Sequence, residues 1–553
     1  MGVATDDWRM QNPSEDMPVN AHCLPFHQVP HTMRLFSDFL YDYPQVQKFF
    51  PSSPYILRDL PRAQSSYDPA RRGQVASILE RQNRGWNASS RALENISRLR
   101  DGASAVVTGQ QVGLFGGPVF AIYKALTAAK LAEQATAAGV NSVPIFWLAT
   151  EDHDLAEINH VSIARPDFSL DELRTQAHVA PDTPVGRITL DDEIVAVIDR
   201  ASEILGQSDI LGALRESYRP GSNFGDAFAR LFATLFADFG IILLDPSDAE
   251  FHRIAEPVLR NALDRSDELD QALLARGKEL ERAGYHQQVK VTESSTLLFS
   301  LEDGRRTVIH RKPNGSREFQ IRSSKISKPD LLRRIADHPE AFSANVLLRP
   351  VMQDYLLPTI AYVGGSAEVA YFAQCAVVYE ALLGRITPIT PRFSATIVEP
   401  KPANLLRRYG LTFHDSLQGL DPLREELARR ALPQDVQSAF ENAHAAVQAS
   451  LDQVKGPLSR LDPTLLDAAT RAASKMEYQI SRLRSRAARA ELRRVEVLGR
   501  HAILLSNALY PHKTLQERQL GGIYFLLRYG TDFLQQVYHS VRTDCLDHQV
   551  IEI

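Results

Sequence analysis

The stretch TGQQVGLFGGPVFAIYK, residues 108–124, decides the fold class. It closes a run from Ala103 to Tyr123 that carries no charged side chain. A membrane-spanning helix needs about 20 mostly apolar residues. Here Thr108, Gln110, Gln111, four glycines and Pro118 interrupt the run, so the charges are missing for another reason. AVVTG (105–109) reads as a buried strand, QQVGLFGG (110–117) as a glycine-rich loop, and PVFAIYKALTAAKLAE (118–133) as a helix whose first position suits proline. Such a strand, loop and helix unit can hold an anion. Glycines allow close backbone approach, and a helix N-terminus presents free N–H groups and the positive end of its dipole. A turn that only packs helix on strand would look the same, and neither G-x-G-x-x-G nor G-x-x-x-x-G-K-[ST] is matched.

Working outward, VPIFWLA (143–149), GIILLDP (240–246), NVLLRP (345–350), TIAYVGG (359–365) and RITPITP (385–391) are further candidate strands. Their continuous apolar character is that of strands covered on both faces, as in a parallel, doubly wound sheet. Helices are expected at Pro118 to Ala138, Asn223 to Asp238, Glu250 to Ala283 and Glu368 to Gly384. Two insertions interrupt the alternation. Residues 161–222 are mixed in pattern, and 285–330 contains Asp303-Gly304 and Pro313-Asn314-Gly315, hairpin turn chemistry between alternating segments.

The chain changes character in its last third. Apolar residues at Val436, Phe440, Ala443, Val447, Leu451 and Val454, then at Met476, Ile480, Leu483, Ala487 and Ala490, fall at spacings of three and four. Two long helices broken from Gly456-Pro457 to Pro463 make an antiparallel hairpin whose seam invites a homodimer. The division expected is 1–400 for an α/β core, 401–508 for the helical arm and 509–553 for a segment returning to the core.

Composition sets outer limits. A chain of 553 residues exceeds the roughly 250–300 at which single cores stop growing. With 44% hydrophobic residues, 23% charged and a formal net charge of -5, it has the balance of an ordinary globular protein, not of a disordered or polyanion-binding one. The arginines at 482, 484, 486, 489, 493, 494 and 500 are interleaved with acids and lack stacking aromatics, which argues against nucleic acid. No membrane association is expected. MGVATDDWRM is acidic and precedes no apolar segment, and Cys23, Cys375 and Cys545 are far apart in sequence, so a reduced cytoplasmic setting is expected.

Three clusters carry candidate chemistry. The first is the glycine loop, Thr108, Gly109, Gln110, Gln111, Gly113, Gly116 and Gly117, with Lys124 beyond it, as an anion site. The second is TEDHDLAEINH (150–160), where Glu151, Asp152, His153 and Asp154 follow an apolar strand at the edge where open α/β sheets bind ligands. There carboxylates can hold Mg²⁺ or an amine while His153 moves protons, although a solvated loop with a capping Asp fits as well. Zinc held by His153 and His160 with a carboxylate follows no standard spacing, so no metal ligands are assigned and zinc is not expected. The third is RPVMQDYLLPTIAYVGGSAEVAYF (349–372), whose Arg349, Asp354, Tyr362, Gly364, Gly365 and Glu368 each fit a structural role, although three such edges on one sheet suggest a common cleft.

TGQQVGLFGGPVFAIYKALTAAKLA, PIFWLATEDHDLAEINH, AGYHQQVKV, LLRPVMQDYLLPTIAYVGG and LYPHKTLQER together resemble the BshC family, cysteine ligases of bacillithiol biosynthesis, and the likeness runs from LPFHQVPHTMRLFSDFLYDY to the end of the chain. The resemblance implies a Rossmann-like nucleotidyltransferase core with connecting-peptide insertions and a long antiparallel coiled-coil arm that dimerises. It implies a ligase joining L-cysteine to the amine of glucosaminyl malate to make a low-molecular-weight thiol, with ATP and Mg²⁺. By analogy with class I synthetases, ATP would activate cysteine as an adenylate, with the nucleotide over Thr108 to Pro118 and Lys124 at its phosphates, catalysis at Glu151 to Asp154, and the substrates held by Arg349, Asp354, Tyr362, Gly364, Gly365 and Glu368. The histidine-rich signature of those enzymes is replaced here by GLFGGP, and SKISKP (324–329), an echo of their lysine signature, lies before NVLLRP and close to the expected insertion, which makes it a coincidence. An acyl phosphate, a ligase with another acceptor and a nucleotide-binding scaffold therefore remain alternatives.

Overall fold

The computed structural model describes residues 21–58, 67–177, 179–312, 318–494 and 496–553. Two compact units emerge. The main unit comprises Met1–Arg165, Asp171–Ala395 and Glu517–Gln549, and the second Pro166–Leu170, Thr396–Gln516 and Val550–Ile553.

The main unit is organised by a five-stranded sheet of β1 (Ser104–Gln110), β2 (Ser142–Leu148), β3 (Ile242–Leu244), β4 (Thr359–Gly364) and β5 (Ile389–Pro391), in the order β5-β4-β1-β2-β3. Every neighbouring pair is parallel. All seven residues of β2 and all six of β4 are buried, so continuous apolar runs were the right signature. The chain builds outward from β1 through β2 to β3, then returns to the other side of β1 with β4. That reversal is the topological switch point, beyond whose carboxyl ends doubly wound sheets bind ligands. Helices α1 (Phe120–Ala137), α2 (Arg349–Leu356) and α3 (Ser366–Leu383) frame it.

Within the main unit two expectations of secondary structure need correction. NVLLRP is a turn running into α2, because the Asn345 side chain accepts from the Leu347 and Leu348 amides, both at 3.0 Å, and starts a helix. The segment Glu250 to Ala283 is two helices, Ala249–Asp264 and Ser266–Arg282, which meet at Arg265. The first inserted region contains helices Glu193–Leu205 and Asp209–Ser217. The second is an antiparallel sheet in the order Ser324–Ser327, Glu318–Ile321, Arg305–Arg311, Ser295–Glu302, Phe342–Ala344. Its Asp303-Gly304 turn has both residues at positive φ, 53° and 73°, while Pro313-Asn314-Gly315 lies outside the described residues.

In the second unit α4 (Gln434–Leu461) packs against α5 (Leu465–Arg494). At 28 and 30 residues these are each roughly 42–45 Å long. The helix does not break at Gly456-Pro457. Pro457 sits inside α4, and the turn comes at Asp462, whose carboxylate accepts from the Thr464 amide and hydroxyl, both at 2.8 Å. Leu451, Ala473 and Ala488 are buried along the arm, whereas Val454, Met476, Tyr478 and Leu483 are exposed. Among the described residues no helix is long and apolar enough to cross a membrane.

Candidate active site

At the switch point lies a cavity of about 300 Å³. Gly109, Gln110 and Gln111 at the end of β1, Trp147 and Ala149 at the end of β2, and Gly365, Ala367 and Glu368 after β4 line it. Phe120, Lys124, Glu157, Val346, Arg349, Tyr362, Tyr371, Arg392 and Arg518 complete the wall.

Lys124 is buried and anchors the floor. Its ammonium donates to the Gly109 carbonyl (2.8 Å) and Gln110 Oε1 (3.0 Å), and pairs with Glu368 Oε2 (2.5 Å). An ammonium has three N–H bonds. Each has a partner here, so Lys124 joins β1 to α3 before it meets any ligand. Burial lowers its pKa against the pull of Glu368. Burial opposes the Glu368 charge too, but Lys124, the Gly365 amide and the Tyr362 hydroxyl hold that carboxyl below its usual range. The amide and hydroxyl both lie 2.7 Å from Glu368. Arg349 reaches the hydroxyls of Tyr371 (3.0 Å) and Tyr362 (3.3 Å) and Gln353 Oε1 (3.1 Å), and lies over the Trp147 ring.

Arg392 makes a bidentate pair with Glu517 at 2.7 and 3.0 Å. Arg392 is 7% and Glu517 1% exposed, so water screens this pair little. Burial works against the Glu517 charge, but Arg392 keeps the carboxyl below its ordinary value. The Ser394 hydroxyl bonds Glu517 (2.9 Å) and His548 Nδ1 (2.8 Å), a buried support behind the arginine. Arg518 extends to the Ser366 hydroxyl at 3.0 Å, at the N-terminus of α3.

The glycine loop is used differently from the expectation. Its amides turn inward: Gly113 to the Gln111 carbonyl, Gly116 to Gly113, Gly117 to Leu114, and Val119 to Leu520 at 2.8 Å. Phe115, Gly116 and Gly117 all have positive φ, which coils the loop on itself. Gly113, Gly116 and Gly117 therefore hold α1 in place and lie outside the cavity lining, as does Thr108, whose hydroxyl donates to the Val363 carbonyl at 2.8 Å. The helix N-terminus that opens onto the cavity is that of α3.

Glu151, Asp152, His153 and Asp154 are also not brought to this cavity. Glu151 pairs with buried His252 at 3.0 Å in a separate cleft with Arg187 and Arg306. Burial disfavours a charged His252, but Glu151 outweighs it and raises the imidazole pKa. Asp152 and His153 approach Arg306 Nη1 at 3.4 and 3.3 Å, and Asp154 caps a short helix through the Glu157 amide at 3.2 Å. Gln111 links the two sites: it lines the cavity and donates to Asp152 at 2.9 Å. Of the third cluster, Arg349, Tyr362, Gly365 and Glu368 line the cavity, while Asp354 is tied to Gln353 and Tyr379 beneath it, and Gly364 is packed under Glu368. Sequence reasoning missed Glu157, Tyr371, Arg392 and Arg518. Glu157 lies within the quoted TEDHDLAEINH string and Arg518 ends LYPHKTLQER, but no spacing distinguishes them.

A 3-2-1-4-5 parallel sheet, a cation-rich crevice at its switch point and a two-helix arm define a Rossmann-like protein with an appended coiled coil. Residues 19–393 match the family described as "Bacillithiol biosynthesis BshC, N-terminal Rossmann-like domain", and residues 395–553 match its "C-terminal coiled-coil domain". The chain belongs to the BshC family. It is 50% identical to a protein named "Putative cysteine ligase BshC" from Koribacter versatilis, over 96% of this chain and 99% of that one. Relatives of the same name from Solibacter usitatus and Salinibacter ruber are 38% and 36% identical, covering 96% and 94% of this chain and 100% and 96% of theirs.

Proposed function

We propose that this protein is a ligase that joins the carboxyl of L-cysteine to the amine of glucosaminyl malate, using ATP, in the amide-forming step of bacillithiol biosynthesis. Family membership supports the reaction class, and the cavity is the observation that supports its site. Lys124, Arg349, Arg392 and Arg518 surround it beside the N-terminus of an 18-residue helix, a setting suited to phosphate and carboxylate oxygens. Bound ATP would supply a leaving group for the cysteine carboxyl. Arg349, Arg392 and Arg518 are the residues that would hold its phosphates.

An amine that attacks an activated acyl group must lose a proton. Glu157 faces the cavity and is the base in this reading. Partial burial, opposed by Gln111 and assisted by Asp154 and Asp152, raises its pKa. Among the described residues no three His, Cys, Asp or Glu side chains converge as a metal-holding group. A Mg²⁺ accompanying ATP would then take most of its oxygens from phosphate and water. The exposed Val454, Met476, Tyr478 and Leu483 support a homodimer through the arm, which light scattering of Met476→Glu/Leu483→Glu against the wild type would test.

The deciding experiment is mass spectrometry of purified protein with ATP, Mg²⁺, cysteine and glucosaminyl malate. Amide product with AMP supports the ligase through an adenylate, and product with ADP supports it through an acyl phosphate. Nucleotide binding without product overturns the ligase reading.

A further inference from the structure

Two of the three cysteines, 522 positions apart, meet in the main unit: Cys23 Sγ and Cys545 Sγ are 3.2 Å from each other. Both are partly exposed, whereas Cys375 is fully buried in α3 with its thiol pKa raised by burial. The pair is held from both sides by contacts that involve neither sulfur. The Phe26 amide donates to the Tyr41 hydroxyl at 2.8 Å, and that hydroxyl donates to Asp547 Oδ1 at 2.6 Å. The segments carrying Cys23 and Cys545 are thus tied together through Tyr41, and Arg542, whose guanidinium grips Asp544 at 2.8 Å, lies beside them.

The two thiols are not equivalent. The contact with Cys23, the Asp547 amide and Arg542 lower the Cys545 thiol below its ordinary value against opposing burial. The contact with Cys545, together with burial, raises Cys23. The Asp547 amide favours an anion at Cys545, and Cys23 stands in contact at 3.2 Å to resolve a mixed disulfide formed there.

We propose that Cys23 and Cys545 form a thiol-disulfide exchange site that accepts an external disulfide, with Cys545 as the attacking thiolate and Cys23 as the resolving thiol. In the first step Cys545 Sγ bonds to one sulfur of the disulfide RSSR, its S–S bond breaks, and RS⁻ leaves. In the second, Cys23 Sγ attacks Cys545 Sγ, the mixed disulfide breaks, and the departing second RS⁻ takes the Cys23 proton. The protein dithiol is oxidised by two electrons and RSSR is reduced to two thiols. The site is separate from the cavity and does not depend on the ligase reading.

The test uses the full chain with cystine as the probe at pH 7.5, read by intact mass and peptide mapping. Expected is a protein lighter by two hydrogens with a Cys23–Cys545 cross-linked peptide and free Cys375. Cys23→Ser should instead accumulate one cysteinyl adduct on Cys545, and Cys545→Ser should react at least tenfold more slowly. An unmodified wild type, equal reaction at Cys375, or a Cys23→Ser protein without an adduct would overturn the proposal. Circular dichroism of both variants separates loss of reaction from loss of fold.

Discussion

Lys124 Nζ and Glu368 Oε2 lie 2.5 Å apart, both drawn out of bulk solvent, one from the helix after β1 and the other from the helix after β4. The pair therefore bridges the two sides of the switch point. Removing one partner leaves the other charge buried with only neutral hydrogen-bond partners, at a cost of up to about 3–5 kcal/mol. Lys124→Met should lower the urea midpoint accordingly, and Lys124→Met/Glu368→Gln should recover much of the loss. A double mutant no more stable than the single one would refute the coupling.

Glu157 is expected to set the acidic limb of the pH profile. Its raised carboxyl pKa means the base form is gained as pH rises through that value, so turnover should climb with pH there. Glu157→Gln should lower kcat by about 10²–10⁴ and remove that limb. Glu151→Gln, Asp152→Asn and His153→Ala, whose side chains contact His252 or Arg306 and do not line the cavity, should reduce kcat less; steady-state kinetics of the four variants compares them directly.

Acid stability should depend on His548. Burial lowers its imidazole to about 4, with Glu517 pulling the other way and Arg392 adding to the decrease. Between about 6.5 and 4 the unfolded chain binds a proton that the folded one does not, so stability is lost as pH falls through that window, on the order of 3 kcal/mol in full. Denaturation of His548→Gln at pH 7 and pH 5 should show a smaller difference than the wild type; an equal difference would assign the acid sensitivity elsewhere.

Gly109 pairs with Trp147 across β1 and β2, and a Cβ there would meet the Trp147 carbonyl oxygen at 2.9 Å. Gly109→Ala should cost about 1–3 kcal/mol through forced strand separation. A melting temperature unchanged from wild type would show that the strands can give way.

The sheet was legible because strands covered on both faces must be apolar throughout, and TIAYVGG or VPIFWLA leaves little else to read. NVLLRP misleads because a short apolar run also fits the start of a buried helix, and only the Asn345 side chain turning back on the next amides decides it. The cavity was half legible. Arg349, Tyr362, Gly365 and Glu368 share one strand-helix edge, so their sequence proximity carries over into space. Arg392 and Arg518 are separated by 126 positions and joined through Glu517, a relationship no local pattern contains. The Glu151 to Asp154 cluster was found as a group of charges, but the direction in which the loop after β2 turns is fixed by Arg306 and His252, which lie far along the chain.

Arg392 and Glu517 also stand at the two doors of a long detour. The chain leaves the main unit after Ala395 and re-enters at Glu517, and the Ala395 amide is itself 3.1 Å from Glu517 Oε2. Exit and entry are thus fastened by the same carboxylate that steadies an arginine of the cavity. Loss of that carboxylate would therefore unfasten the mouth of the excursion and slacken a cavity arginine at once, a single lesion felt in two places.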